Sequence, residues 1–363
     1  MTDYKIDTIL AHAGINNDDK TGALISPIHL STTYQHPEFG HSTGFDYTRT
    51  KNPTRAGLEA TLAAIEKADH ALATSSGMAA LVLLFNGFPV GSQVVAARDL
   101  YGGSFRWFNE QESLGRFQFT YANSEVELIA AITDQTDYVY LETPTNPLMV
   151  EFDIAKVSAI AHAKDAKVIV DNTFYSPIYQ NPLELGADVV LHSATKYLSG
   201  HNDVLAGALM TNDQDLYDKL FYDQNTTGPT LSPLDSYLLM RGLKTLSLRM
   251  ERATQNAQKI VAFLKKSPAV KQVYYTGKGG MISLKVVDES KIPHILNTLK
   301  IFTFAESLGG VESLITYPAT QTHADIPVET RHSYGLTDDL LRLSIGIEDA
   351  DDLIADLEVA LEG

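Results

Sequence analysis

The stretch "KVIVDNTFYSPIYQNPLELGADVVLHSATK", residues 167–196, contains two short apolar runs, each followed by polar chemistry. The first run ends on Asp171. The second leads through His192, Ser193 and Thr195 to Lys196. Lys196 has no carboxylate beside it in sequence, so it lacks the ordinary reason for a lysine to sit where it does. Asp171 and Lys196 are 25 positions apart (196 − 171), room for one crossover and one strand. That spacing puts both at the ends of neighbouring strands, able to face one ligand.

The same pattern extends upstream. Helix-like "AGLEATLAAIEKA" (56–68) precedes the apolar run "HALAT" (70–74), then helix-like "GMAALVLLFNGF" (77–88) and apolar "SQVVAA" (92–97). "SEVELIAAI" (124–132), "DYVYLE" (137–142) and "DIAKVSAIAHAKDA" (153–166) continue it, with Asp153 as a predicted N-cap. Apolar runs alternating with helical periodicity indicate an α/β fold: a mostly parallel central sheet with helices on both faces. Ligands of such sheets sit beyond the carboxyl ends of the strands. There the sequence reads "TSSGM", "ETPTN", "DNTF" and "HSATK", which together suggest one composite site.

Residues 1–55 are rich in turn formers and read as an amino-terminal arm. Residues 56–244 carry the strand–helix alternation. Residues 245–363 change register, with a long helical stretch, strand-like "GGMISLKVV" and "LLRLSIGI", and a closing helix, and read as a smaller α+β domain.

Composition excludes several classes. The net charge of −17 argues against nonspecific binding to nucleic acid or an anionic membrane. The absence of cysteine excludes disulfides, a thiol nucleophile and thiolate metal sites. The start has no secretory-signal pattern and no apolar run is long enough to span a membrane, so a cytoplasmic protein is expected. The 11 histidines form no metal signature. "TGKGG" (276–280) lacks the spacing of a phosphate loop and reads as a glycine-rich turn.

Taken singly, Ser76 before Gly77 and Met78 is an ordinary N-cap, and Asp171 an ordinary strand-end carboxylate. Taken together, the parts meet the needs of pyridoxal phosphate. A lysine attaches the cofactor as a Schiff base, an aspartate keeps the pyridine nitrogen protonated, and hydroxyls with helix N–H groups hold the phosphate.

The motifs "YTRTKNPTR", "SSGMAA", "DLYGGS", "ETPTNP", "VDNTF", "HSATKYLSGHND", "AESLGGVESL" and "LRLSIGIED" resemble, in order, those of the trans-sulfuration, or Cys/Met-metabolism, family of pyridoxal-phosphate enzymes. The resemblance spans nearly the whole chain. It implies PLP fold type I, the aspartate-aminotransferase-like architecture, in a homo-oligomer with active sites shared between subunits, usually a tetramer. It implies Lys196 as the cofactor lysine and proton shuttle, and Asp171 as partner of the pyridine nitrogen. Ser76, Gly77, Met78, Ser193 and Thr195 match the phosphate cup. Tyr101 matches the catalytic tyrosine that stacks on the cofactor ring and helps with proton transfer, and Asn146 the amide near cofactor and substrate. Tyr47 and Arg49 match a pair reaching the phosphate from the neighbouring subunit; arginine suits that role because its fork binds phosphate through two bonds. Arg342 and Ser307 match the residues that hold the substrate carboxylate. Glu142 is read as supporting structure.

Three positions bear on the reaction. Glu306 resembles the family's γ-carbon enzymes. Gly103 stands where methionine γ-lyases carry a cysteine. Arg106 matches either a contact to the distal end of the substrate or a surface salt bridge. The stretches around Tyr47 and Glu306 are most similar to cystathionine γ-synthase and O-acetylhomoserine sulfhydrylase. Expected substrates are therefore sulfur amino acids or homoserine esters, with γ-replacement as the leading reaction and cleavage of cystathionine as the alternative.

Overall fold

A computed structural model of the chain describes residues 4–14, 18 and 20–362. Helix α1 (Ile6–Ala11) precedes α2 (Pro53–Glu66). The sequence suggests a helix from 56, and the structure starts it three residues earlier. Asn52 accepts hydrogen bonds from the N–H groups of Thr54 (2.9 Å) and Arg55 (3.2 Å), and Pro53 occupies the first turn, where a missing N–H costs nothing.

The strands β1 (His70–Thr74), β2 (Ser92–Ala97), β3 (Phe117–Ala122), β4 (Tyr138–Glu142), β5 (Lys167–Asp171), β6 (Val189–His192) and β7 (Gly207–Thr211) form one sheet in the order β1-β7-β6-β5-β4-β2-β3. Every neighbouring pair from β6 to β3 is parallel, and β7 runs antiparallel to both β6 and β1. The linking helices are α3 (Gly77–Asn86), α4 (Gly102–Ser113), α5 (Glu125–Ala131), α6 (Ile154–His162), α7 (Ser176–Tyr179), α8 (Gln214–Thr227) and α9 (Pro233–Leu243). Asp153 caps α6 through the Lys156 N–H at 3.0 Å, as expected.

Successive residues of one strand point to opposite faces, and the core divides accordingly. Val189 and Leu191 pack with Phe85, Phe108 and Val157 on one face, whereas Val190 packs with Leu58, Leu62 and Leu239 on the other. Helices thus cover both faces, as a parallel sheet requires.

After the long helix α10 (Leu246–Leu264) comes a second sheet. It is built from β8 (Val270–Tyr274), β9 (Met281–Val286), β10 (Thr303–Phe304), β11 (Leu314–Thr316) and β12 (Leu340–Ser344), in the order β10-β11-β12-β9-β8. Helices α11 (Ile292–Thr298), α12 (Val328–Ser333) and α13 (Ala350–Glu362) complete the chain. A separate core of Ile260, Leu264, Ile282, Leu284, Leu343, Leu353 and Leu357 holds this sheet to α10 and α13. Burying each such side chain is worth about 1.5–3 kcal/mol. Among the described residues no helix is long and apolar enough to cross a membrane.

Candidate active site

The pairing register brings the polar strand ends level. Glu142 lies opposite Asp171, Asp171 opposite Leu191, and Thr74 opposite Gly207. Beyond them opens a cavity of about 310 Å³, closed on its other side by Glu306 and Ser307 from the loop after β10 and Arg342 from strand β12. Its lining includes Ser76, Gly77, Met78, Tyr101, Asn146, Asp171, Ser193, Thr195 and Lys196. Residues from seven separate stretches of sequence therefore meet in one space.

Lys196 Nζ donates to Ser307 Oγ at 2.9 Å. Burial, and then the positive charge of Arg342, press its pKa down to about 8, with Glu306 opposing. The amine is poised between its charged and nucleophilic forms near neutral pH. Ser307 itself has φ +96°, a left-handed conformation unusual for a residue with a side chain. That conformation directs its carbonyl at Arg342 Nη2, 3.0 Å away.

Arg342 is 1 % exposed and faces the cavity without a carboxylate partner among the described residues. Its bonds go to neutral acceptors: Asn146 Oδ1 (2.9 Å), Ser307 O (3.0 Å) and Thr316 Oγ1 (3.1 Å). Its Nε has no partner among the described residues. A buried guanidinium with unused donor capacity, opening on a cavity, is a receptor for an anion.

Asp171 receives the N–H (3.0 Å) and the hydroxyl (2.5 Å) of Thr173 on one oxygen, and no cation among the described residues pairs with it. Burial raises its pKa, and Thr173 and His192 pull it back. Glu142, buried and facing the negative charge of Asp171, is pushed well above the carboxylate range. It accepts the backbone N–H of Tyr101 at 3.0–3.1 Å, which places that tyrosine at the head of α4. Glu142 is thus structural, and Asp171 is the carboxylate waiting for a cation.

Ser76 caps α3 through the Ala79 N–H at 3.0 Å, leaving the N–H groups of Gly77 and Met78 at the cavity. Gly77 is needed there, since a Cβ on it would sit 2.8 Å from Ser193 Cβ and 2.9 Å from Ser193 Cα. Helix terminus and Ser193 form one close cradle for an anion. Thr195 also lines it, but its hydroxyl is engaged with Ala206, donating to the carbonyl at 3.1 Å and accepting the N–H at 2.9 Å. It anchors the approach to β7.

Three sequence candidates lie outside the cavity lining. Tyr47 is 46 % exposed, and the Arg49 guanidinium stacks on its ring at 5.3 Å. Arg49 Nε donates to Asn225 at 3.4 Å. Arg106 pairs with Asp325, both well exposed. Other lining residues carried no local signal in the sequence: Thr322 and Leu205, together with the buried His323 behind Thr322. They come from turns whose placement depends on distant chain.

An amine lowered to about 8, a half-buried carboxylate without a cation among the described residues, an anion cradle and a buried arginine fit pyridoxal phosphate together with an amino-acid substrate. The comparisons agree. The family model described as Cys/Met metabolism PLP-dependent enzyme matches residues 7–362. Cystathionine gamma-synthase of Haemophilus influenzae is 50 % identical, covering 98 % of this chain and 97 % of its own. Cystathionine gamma-lyase of Bacillus subtilis is 46 % identical, covering 99 % of each. The structure of cystathionine gamma synthase from Xanthomonas oryzae pv. oryzae in complex with cystathionine superposes with a TM-score of 0.97 at 40 % identity, over 99 % of this chain and 98 % of that one. The chain belongs to the pyridoxal-phosphate-dependent enzymes of cysteine and methionine metabolism, and pyridoxal phosphate is its cofactor.

Proposed function

We propose that this enzyme catalyses γ-replacement on an O-acylhomoserine, with cysteine or sulfide as the incoming thiol. The observation that carries this reading is the pair Arg342 and Glu306 on one cavity wall, a buried cation and a carboxylate flanking Ser307. An amino acid with its carboxylate on Arg342 and Asn146 places its α-carbon at Lys196. Its side chain then extends to where Glu306 attracts the ammonium group of cysteine. Two relatives support the choice, the synthase above and cystathionine gamma-synthase/O-acetylhomoserine (thiol)-lyase of Bacillus subtilis at 50 % identity.

Asp171 would hold the cofactor's ring nitrogen, Tyr101 its ring face, and Ser76, Gly77, Met78 and Ser193 its phosphate. The bound cofactor supplies an electron sink for the pair left when a proton departs from carbon. Lys196 Nζ takes the α-proton, gives it up, and is then free to take a proton from the β-carbon; the acyloxy group leaves Cγ as a carboxylate with the Cγ–O electron pair, the thiolate sulfur bonds to Cγ, and Lys196 returns a proton to each carbon in turn. Ester and thiol become thioether and carboxylic acid. Arg342 and Asn146 keep the α-carbon at Lys196 through both steps.

Tyr47 and Arg49, exposed and outside their own chain's cavity, would serve a neighbouring subunit. This supports a homo-oligomer with shared sites, a tetramer by resemblance; a cytoplasmic location belongs to the same proposal and rests on the sequence alone. The division into an arm (1–55), a cofactor domain (56–244) and a carboxyl-terminal domain (245–363) is part of the same proposal.

Product analysis tests the reaction. The enzyme is incubated with O-acetyl- or O-succinylhomoserine plus cysteine, and separately with cystathionine alone. Cystathionine made from the esters is the expected result. Rapid cleavage of cystathionine without ester turnover would establish the lyase reaction in its place.

A further inference from the structure

His323 is completely buried at the meeting point of three segments that build the cavity. Its Nε2 lies 3.2 Å from Leu100 O and 3.0 Å from Asn146 O, and its Nδ1 lies 2.8 Å from Thr322 Oγ1. A carbonyl oxygen only accepts, so Nε2 carries the proton and shares it between both carbonyls, while Nδ1 accepts the Thr322 hydroxyl. Leu100 is bonded to Tyr101 in the chain, Asn146 binds Arg342, and Thr322 lines the cavity. The fit leaves no slack, because a Cβ on Gly102 would fall 2.1 Å from Thr322 O. Asp99 accepts the Leu148 N–H at 2.9 Å and binds the same two loops beside the ring. Burial, with Arg342 nearby, lowers the imidazole pKa to about 4, so the ring is neutral and Nδ1 is left as the acceptor.

We infer that His323 is a positioning residue: by sharing one proton between Leu100 O and Asn146 O, it fixes the spacing of Tyr101 and Asn146 on which binding of the amino-acid substrate depends. Its hydrogen bonds reach none of Lys196, Asp171 or Ser193. Disturbing it therefore weakens the hold on the amino acid most, and touches the hold on the cofactor only through the Tyr101 ring, since Lys196, Asp171 and Ser193 stay in place. The inference rests on the proposed placement of the substrate carboxylate at Asn146 and Arg342.

The test compares His323→Gln and His323→Asn in the holoenzyme. A glutamine amide can occupy the place of Nε2, whereas the shorter asparagine amide occupies that of Nδ1 and leaves both carbonyls unpaired. Glycine, which has no leaving group, serves as the binding probe, read through the absorbance of the bound cofactor. KM and kcat are measured alongside. The Asn variant is expected to bind glycine about ten- to hundredfold more weakly, with KM raised to match and the cofactor retained. The Gln variant is expected to stay close to the wild type. Equal glycine affinity in both variants overturns the inference, and so does an Asn variant that loses cofactor together with glycine. A wild-type enzyme that binds glycine but acts on neither substrate set refutes the proposed reaction and leaves the glycine comparison intact.

Discussion

Replacing Gly77 with alanine should weaken cofactor binding, although alanine is the better helix former. The new methyl would lie 2.8 Å from Ser193 Cβ and 2.9 Å from its Cα and Oγ, where ordinary contacts start near 3.4 Å. A shift of about 0.5–0.6 Å is therefore needed (3.4 − 2.9 and 3.4 − 2.8). Ser193 cannot easily supply it, because its N–H is held by Thr173 Oγ1 at 2.8 Å and its carbonyl by the Lys196 N–H at 3.1 Å. The start of α3 must move, and its N–H groups then leave the cradle. Overpacking of this kind costs about 1–3 kcal/mol, while the gain in helix propensity is at most about 1 kcal/mol and smaller in a first turn. The clash wins, with a net loss of about 1–2 kcal/mol, or roughly five- to thirtyfold in affinity. Titration of apoenzyme with pyridoxal phosphate, followed by fluorescence or absorbance, measures it directly. Wild-type affinity in Gly77→Ala would refute the cradle built from α3 and Ser193.

Three further outcomes follow from the electrostatics of the cavity. Capture of the cofactor by apoenzyme needs neutral Lys196, so its rate should climb with pH through about 8; Arg342→Met removes a positive neighbour and should move that midpoint up. A midpoint near 10.5 in the wild type would contradict the burial of this amine. Asp171→Asn should retain the cofactor but lose about 10²–10³ in kcat, because the group that holds positive charge on the ring nitrogen is gone; steady-state assays of the loaded variant decide this. Glu306→Gln should raise KM for cysteine while leaving sulfide little changed, since only cysteine carries an ammonium group, and an equal effect on both thiols would remove Glu306 from the recognition of the nucleophile.

Much of this architecture was legible because the buried strands are short apolar runs with turn residues at their ends. "SQVVAA" and "KVIVD" match β2 and β5 residue for residue. The elements that the pattern hid have physical reasons for being hidden. Helix α4 opens with two glycines, one against Thr322 and the other under the Tyr101 ring, so its start carries no helical signature. Strand β7 begins at a glycine pressed against Ser76 O and is the antiparallel member, outside any strand–helix–strand repeat. At the site, Lys196 and Asp171 were readable through their strand ends. Thr322 and His323 were not, because they lie more than 100 residues from the loops they join, and nothing local marks a histidine as a clamp.

The most direct test of the proposed chemistry is the ester and cysteine reaction run in deuterium oxide, with the cystathionine product examined by proton NMR. If Lys196 moves protons at both Cα and Cβ, deuterium appears at both carbons of the homoserine-derived half. Cystathionine formed with protium retained at both positions would mean direct displacement at Cγ, and would contradict the role assigned to Lys196.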